Sequence, residues 1–280
     1  MIAAALRTAP GWKPTVRRRM SLLLDLSGPT LDQAVDRYFS RLADLIAYSA
    51  VVSRGGVHAP ALAGQWSHGF GVLDDLKGCL APGRGALLVC PHLCGHEIMA
   101  ATLCPEFPLT YLVRRSPDEA YEAIKQRWYR SLGVEIVYRA SQPGGKGGLA
   151  DAVAVLRSLK SGRILAMTPD LPQRESTGVP VRFFGRPLHV PGGAFYFSLR
   201  TGAPLAAAFF HHDGSRYDLR MELIPASPIA GSGPEAIAAL AQAWVDRFEG
   251  FLREHPEMWQ FWLDKRWGRW IDAAGAGRCG

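Results

Sequence analysis

Apolar side chains recur at helical spacing in Leu31, Ala34, Val35, Tyr38, Phe39, Leu42, Leu45 and Ile46, which marks one face of a long amphipathic helix. Thr30 with Gln33 forms a capping-box pattern at its start. Short runs rich in branched apolar residues follow at 86–90, 109–113, 134–138, 164–168, 204–210 and 217–223, the signature of buried strands. Helical patterns lie between the early runs, at 96–104, 117–132 and 148–160, and a last helix is expected over Pro234 to Arg253, ahead of Trp259-Gln260-Phe261-Trp262. Strands alternating with helices predict an α/β fold: a single domain with a mixed, mostly parallel sheet flanked by helices. Asp170 to Pro191, which holds Pro172, Pro180, Pro187 and Pro191, is expected to be an exposed functional loop.

At 280 residues and 48% hydrophobic, the chain can bury one large core. The expected layout is an N-terminal arm over 1–28, one folded domain over 29–272 and a flexible tail over 273–280. Neither the first residues, interrupted by Arg7, nor Met20 to Leu26 is apolar for the roughly 20 residues that a bilayer span requires, so no transmembrane helix is expected. The 32 Lys and Arg against 25 Asp and Glu leave a net charge of +7. That excess suits an anionic membrane surface, a nucleotide-bearing cosubstrate or an acidic carrier protein. No recognition helix, zinc finger or stacking strand accompanies the basic residues, so no nucleic acid partner is expected. Five cysteines without a CxxC pair suggest neither a disulfide framework nor a structural zinc site, and fit a reducing cytoplasm.

His92 and Glu97 directly follow the run at 86–90. If a helix begins near Cys94, Glu97 falls in its first turn, where the macrodipole favours its charge and it can hold the His92 imidazole in one tautomer. A loop histidine beside a helix-capping glutamate would show the same spacing. Arg114 ends the run at 109–113, at the sheet edge where ligands of α/β proteins bind, and Arg127 and Arg130 follow on a helical pattern; all three suit phosphate, although a solvated helix face would carry such arginines too. Asp170 ends another run, placed either to position an acceptor or a basic residue or to close a turn. In Val179 to Pro187 two aromatics, Phe183 and Phe184, interleave with Arg182 and Arg186, a composition suited to the wall of an apolar pocket with charged lips. Gly192-Gly193 opens a helix and offers either exposed amides to an anion or close packing. The cluster of Cys90, His92, Cys94, His96 and Glu97 suggests zinc, but strand, turn and helix start do not keep those side chains on one face, so no metal or other cofactor is expected. No Gly-x-Ser-x-Gly elbow, Walker loop or dinucleotide fingerprint is present.

The order His92-x4-Glu97, Val113-Arg114, Thr168-Pro169-Asp170, Val179 to Pro187, Arg200-Thr201-Gly202-Ala203-Pro204 and His255-Pro256-Glu257 with Trp262 resembles the bacterial lipid A biosynthesis lauroyl/myristoyl acyltransferases, within the glycerolipid acyltransferase superfamily. The resemblance runs from about residue 15 to 270. It implies transfer of a fatty acyl chain from acyl carrier protein or acyl-coenzyme A to a hydroxyl or amine of a lipid or glycolipid. His92 would be the general base and Glu97 its orienting partner. Arg114, with Arg127 or Arg130, would bind phosphate or the oxyanion region, Asp170 would position the acceptor, and Arg182, Phe183, Phe184 and Arg186 would border the acyl groove. The domain over 29–272 would then be an acyltransferase domain, working in the cytoplasm in peripheral contact with the inner face of the cell membrane. Two features set the chain apart from the family pattern: it shows no N-terminal membrane-spanning segment, and His96 stands beside Glu97. They keep open a specialised metabolite on a soluble carrier as acceptor. A metal-dependent hydrolase using His92, His96 and Glu97, and a lipid- or carrier-binding protein without turnover, are the rival readings.

Overall fold

The computed structural model describes residues 2–53, 66–68, 77–78, 80, 84–95, 99–100, 103–139, 147–212, 216–226, 229 and 231–276. Of the helix expected at 96–104, residues 99–100 and 103 are helical, and the remainder falls largely outside the described residues.

The described residues form a seven-stranded sheet in the order β1-β9-β8-β2-β5-β3-β4. Its strands are β1 (Trp66–His68), β2 (Ala86–Val89), β3 (Leu109–Arg114), β4 (Glu135–Arg139), β5 (Ile164–Met167), β8 (Leu205–His212) and β9 (Tyr217–Ile224). All neighbouring pairs are parallel except β8 with β9. The expected single-domain α/β architecture with a mixed, mostly parallel sheet is the observed one. β2 is buried at every position, as parallel strands covered on both faces are. The described helices are α1 (Ile2–Thr8), α2 (Trp12–Leu24), α3 (Gly28–Ser53), α4 (Glu119–Ser131), α5 (Gly147–Lys160), α6 (Gly193–Thr201), α7 (Pro234–Glu254) and α8 (Lys265–Ala276). None of the described helices is long and apolar enough to cross a membrane.

Residues 2–24 are folded back onto the domain. On α2, Val16, Met20 and Leu23 are buried in the core, and Arg18 and Arg19 both reach Asp272 of α8. Arg19 also donates to the Trp262 carbonyl at 2.6 Å. Positions 273–276 belong to α8.

The segment from Asp170 to Pro191 departs from the expected open loop, since β6 (Val179–Phe183) and β7 (Arg186–Val190) pair as an antiparallel hairpin. Proline cannot donate to a ladder and is confined to strand edges, and a two-stranded ribbon consists of two edges, so Pro180 and Pro187 are tolerated. Val181, Phe183, Leu188 and Val190 face the core, while Gln242 of α7 bonds both the N–H and the carbonyl of Arg182.

β2 enters the sheet through Gly85, whose N–H donates to the Leu159 carbonyl at 2.7 Å. A Cβ there would stand 2.3 Å from the Arg163 carbonyl oxygen and 2.8 Å from that of Leu159, both backbone atoms that cannot swing aside. Gly85→Ala is therefore expected to lower stability by about 1–3 kcal/mol, read as an earlier urea midpoint with an unchanged slope; an unaltered midpoint would show that β2 does not need this close approach.

Candidate functional site

The strand order places β5 between β2 and β3, so the segments that follow these parallel strands meet at one edge of the sheet. His92 lies just after β2, Asp170 just after β5, and Arg114 ends β3. Ligands of open α/β sheets bind at such an edge.

His92 and Asp170 are joined twice. The imidazole Nδ1 lies 2.5 Å from Asp170 Oδ1, and the His92 backbone N–H donates to Oδ2 at 2.9 Å. Trp259 Nε1 also donates to Oδ2, at 3.2 Å, and Trp267 Nε1 donates to the Asp170 carbonyl at 2.9 Å. Asp170 is 1% exposed, whereas the His92 side chain is 22% exposed. Phe261 packs against the imidazole, with ring centroids 4.6 Å apart. The loop carrying His92 is stitched to the aromatic segment: Gln260 N–H donates to the His92 carbonyl, Gln260 Nε2 to that of Leu93, and Cys94 N–H to that of Met258. Gly95 lets the chain turn here, with φ of 100° and a Cβ position only 3.2 Å from the Tyr217 ring.

Facing a carboxylate, Nδ1 must be the donor, so Nε2 is the nitrogen through which a neutral imidazole accepts a proton. The arrangement can supply a base with a fixed tautomer and a negative charge beside the imidazolium once it forms. Cys90 is a poor candidate nucleophile despite its proximity: burial, then the Asp170 charge, push its thiol up to about 12. Glu97 and His96, the other predicted members of the centre, lie outside the described residues. Among the described residues no three His, Cys, Asp or Glu side chains are grouped to hold a metal ion.

The remaining predicted residues divide between two places. Arg114 is exposed at the end of β3, and its carbonyl accepts from Lys125 Nζ of α4 at 3.1 Å. Arg127 and Arg130 are exposed on α4, which turns Glu122, Trp128 and Tyr129 inward. The other group is on the β6–β7 hairpin. Phe183 is fully buried, stacked on Phe248 at 5.3 Å with Trp267 and Trp270 close by, and so anchors the hairpin. Phe184 takes a left-handed backbone conformation with φ of 50° and lies under the Arg253 guanidinium. Arg182 is exposed, and Arg186 stacks on Trp270 at 4.0 Å while donating to its carbonyl.

The chain also matches known proteins. Residues 60–269 match the family model described as bacterial lipid A biosynthesis acyltransferase. The chain belongs to that family. It is also 27% identical over 208 residues to the phosphatidylinositol mannoside acyltransferases of two Mycobacterium tuberculosis strains, CDC 1551 and H37Rv, an alignment covering 74% of this chain and 62% of each relative. The Mycolicibacterium smegmatis protein of the same name is 26% identical over 197 residues, 70% of this chain and 60% of its own. The chain thus spans 62% of the length of the first of these relatives.

Three residues at this edge of the lipid A acyltransferase-family fold escaped sequence reasoning. Trp259 stood out only as a member of the aromatic segment 259–262, and Trp267 not at all, because the donors lie 89 and 97 positions from Asp170. The third is Glu122, 2% exposed, which accepts from Ser116 N–H at 2.7 Å and pairs with Lys125 at 2.8 Å, with Tyr138 and Gln126 also donating to it. Through Ser116 and Lys125 it holds the backbone that carries Arg114. Burial opposes its charge, but the bonds from Lys125, Tyr138, Ser116 and Gln126 outweigh burial and lower the carboxyl to about 2. A carboxyl lowered by folding contributes stability above its unfolded value of about 4.3 and loses it as pH falls toward the folded value. The stability gap between wild type and Glu122→Gln should accordingly be widest near neutrality and shrink as pH falls from about 4 to about 2, measured by urea unfolding at each pH. A gap independent of pH would show that the Glu122 charge contributes nothing.

Proposed function

We propose that this protein transfers a fatty acyl chain from an acyl-thioester, on acyl carrier protein or coenzyme A, to a hydroxyl of a glycolipid acceptor, with His92 as general base. The observation that carries the reading is the pair of hydrogen bonds, from the imidazole Nδ1 and from the backbone N–H, that tie His92 to the buried Asp170. His92 Nε2 takes the proton of the acceptor hydroxyl as its oxygen attacks the thioester carbonyl carbon. The tetrahedral intermediate collapses with cleavage of the C–S bond, and the imidazolium returns its proton to the departing thiolate, leaving an ester and a free thiol. Asp170 fixes the Nδ1–H tautomer and stabilises the imidazolium, the part that sequence alone gave to Glu97. Glu97, five residues after His92, keeps a proposed supporting role at the same centre.

Arg114, with Arg127 or Arg130, would meet negative charge on a substrate at the β3 end of the edge. The hairpin tip with Arg182, Phe184 and Arg186, anchored by Phe183, would border the path of the acyl chain, where each methylene removed from water contributes about 0.8 kcal/mol. The names of the family and of the mycobacterial relatives point to an acceptor of the lipid A or phosphatidylinositol mannoside kind. Residues 29–272 would form the acyltransferase domain, acting peripherally at the inner face of the cell membrane, where the net charge of +7 favours an anionic surface.

The test is release of free thiol from acyl-carrier-protein and acyl-coenzyme A thioesters with a membrane-lipid extract as acceptor. His92→Ala is expected to lower kcat at least about a hundredfold. Asp170→Asn should be nearly as damaging for a specific reason. Oδ2 receives two N–H donors, so the amide oxygen must stay there and the NH2 must face Nδ1, which moves the ring proton to Nε2 and removes the base. Glu97→Ala, measured alongside, reports on that residue. Thiol release unaffected by Asp170→Asn in a folded protein would sink the His92–Asp170 mechanism.

A further inference from the structure

The loop leaving Asp170 and the last helix enclose an open cleft of about 450 Å3 lined by Pro172, Gln173, Arg174, Arg266, Arg269 and Trp270. That is within the range of small-molecule sites, roughly 300–1,000 Å3. Its lining includes three guanidinium groups and no carboxylate. Arg266 is largely neutralised by Asp264, to which it donates through Nε at 3.3 Å and Nη2 at 3.1 Å. Among the described residues, neither Arg174 nor Arg269 forms an ion pair. The next carboxylate along α8, Asp272, is held by Arg18 and Arg19. Trp270 is immobilised in the wall, donating Nε1 to the Pro187 carbonyl and covered by the Arg186 guanidinium.

We infer that this cleft binds a phosphate group of one of the substrates, gripped by Arg174 from the loop and Arg269 from α8. Two unpaired arginines lining one concavity, beside the Arg266 and Asp264 pair, suit a tetrahedral oxyanion with an organic substituent better than a lone surface arginine would. Two of its walls are tied to Asp170, the partner of His92, through the chain and one hydrogen bond. Arg174 stands four residues after Asp170, and Trp267, between Arg266 and Arg269, donates to the Asp170 carbonyl. A phosphate held here would set the distance between the charged part of a substrate and the imidazole. The phosphate could belong to coenzyme A on the donor side or to the phosphodiester of an inositol lipid on the acceptor side. That link to a substrate rests on the acyl-transfer reading; phosphate binding itself does not.

The experiment uses the full chain and the double variant Arg174→Gln/Arg269→Gln, with Arg157→Gln on α5 as a charge control and circular dichroism to confirm folding. Coenzyme A and phosphate-free pantetheine are titrated calorimetrically, and vesicles of phosphatidylcholine with or without phosphatidylinositol are sedimented with the protein. Coenzyme A binding that exceeds pantetheine binding and weakens about tenfold or more in the double variant, with the control unchanged, would assign the cleft to the donor. The same loss confined to phosphatidylinositol vesicles would assign it to the acceptor headgroup. Wild-type protein that binds neither probe, or a folded double variant that binds both as wild type does, overturns the inference. Arginine-dependent binding in a protein that releases no thiol from any thioester would overturn acyl transfer and leave the cleft as a phosphate site.

Discussion

The carboxyl of Asp170 is the point on which the architecture of this edge depends. A carboxylate taken fully out of water costs several kcal/mol unless its oxygens are paired, and here three N–H groups meet them: His92 Nδ1, His92 backbone and Trp259. These partners come from chain segments 78 and 89 residues away. The charge can be buried only after β2 and β5 have paired and the C-terminal aromatic segment has closed over them. Satisfying one side chain therefore forces three remote segments into one geometry, and that geometry is the candidate active centre.

The aromatic cluster supplies the rigidity. Trp259 sits edge-on to Trp262 at 5.0 Å and to Trp267 at 4.7 Å, and Phe248 meets both Trp259 and Phe183. Aromatic rings bring large apolar area with few rotatable bonds, and edge-to-face contacts add to their burial. Phe183 belongs to this network, so the β6–β7 hairpin and α8 are fixed by the same packing that aims the Trp259 and Trp267 N–H groups at Asp170. The last part of the chain thus acts as a clamp over the strand ends.

Much of this was legible in the chain. The six branched runs became strands, the innermost of them, β2, because a parallel strand covered on both faces needs continuous apolar sequence, and His92 and Asp170 were singled out because each follows such a run. Their partnership was not visible, since pairing across 78 residues depends on the strand order, which no local pattern encodes. The hairpin was hidden by Pro180 and Pro187, whose composition belongs equally to a loop, and α2 by Arg17-Arg18-Arg19, which looks solvated until Arg18 and Arg19 are seen pairing with Asp272. Glu122 was hidden in the same way, as one charge among many on a helix whose buried face carries it inward.

The choice of indole as the extra donor to Asp170 has a chemical consequence. An arginine at position 259 would satisfy Oδ2 at least as well, but its charge would cancel that of the carboxylate and weaken the attraction for an imidazolium on His92. An indole N–H orients the carboxylate and is neutral, so the negative charge stays available at the moment the imidazole takes a proton. Tryptophan also excludes water from Oδ2, which strengthens the Coulombic interaction between carboxylate and imidazolium by lowering the local dielectric. Trp259 therefore buries the carboxylate, fixes its direction and preserves its charge, a combination open to a neutral aromatic donor and closed to a cation.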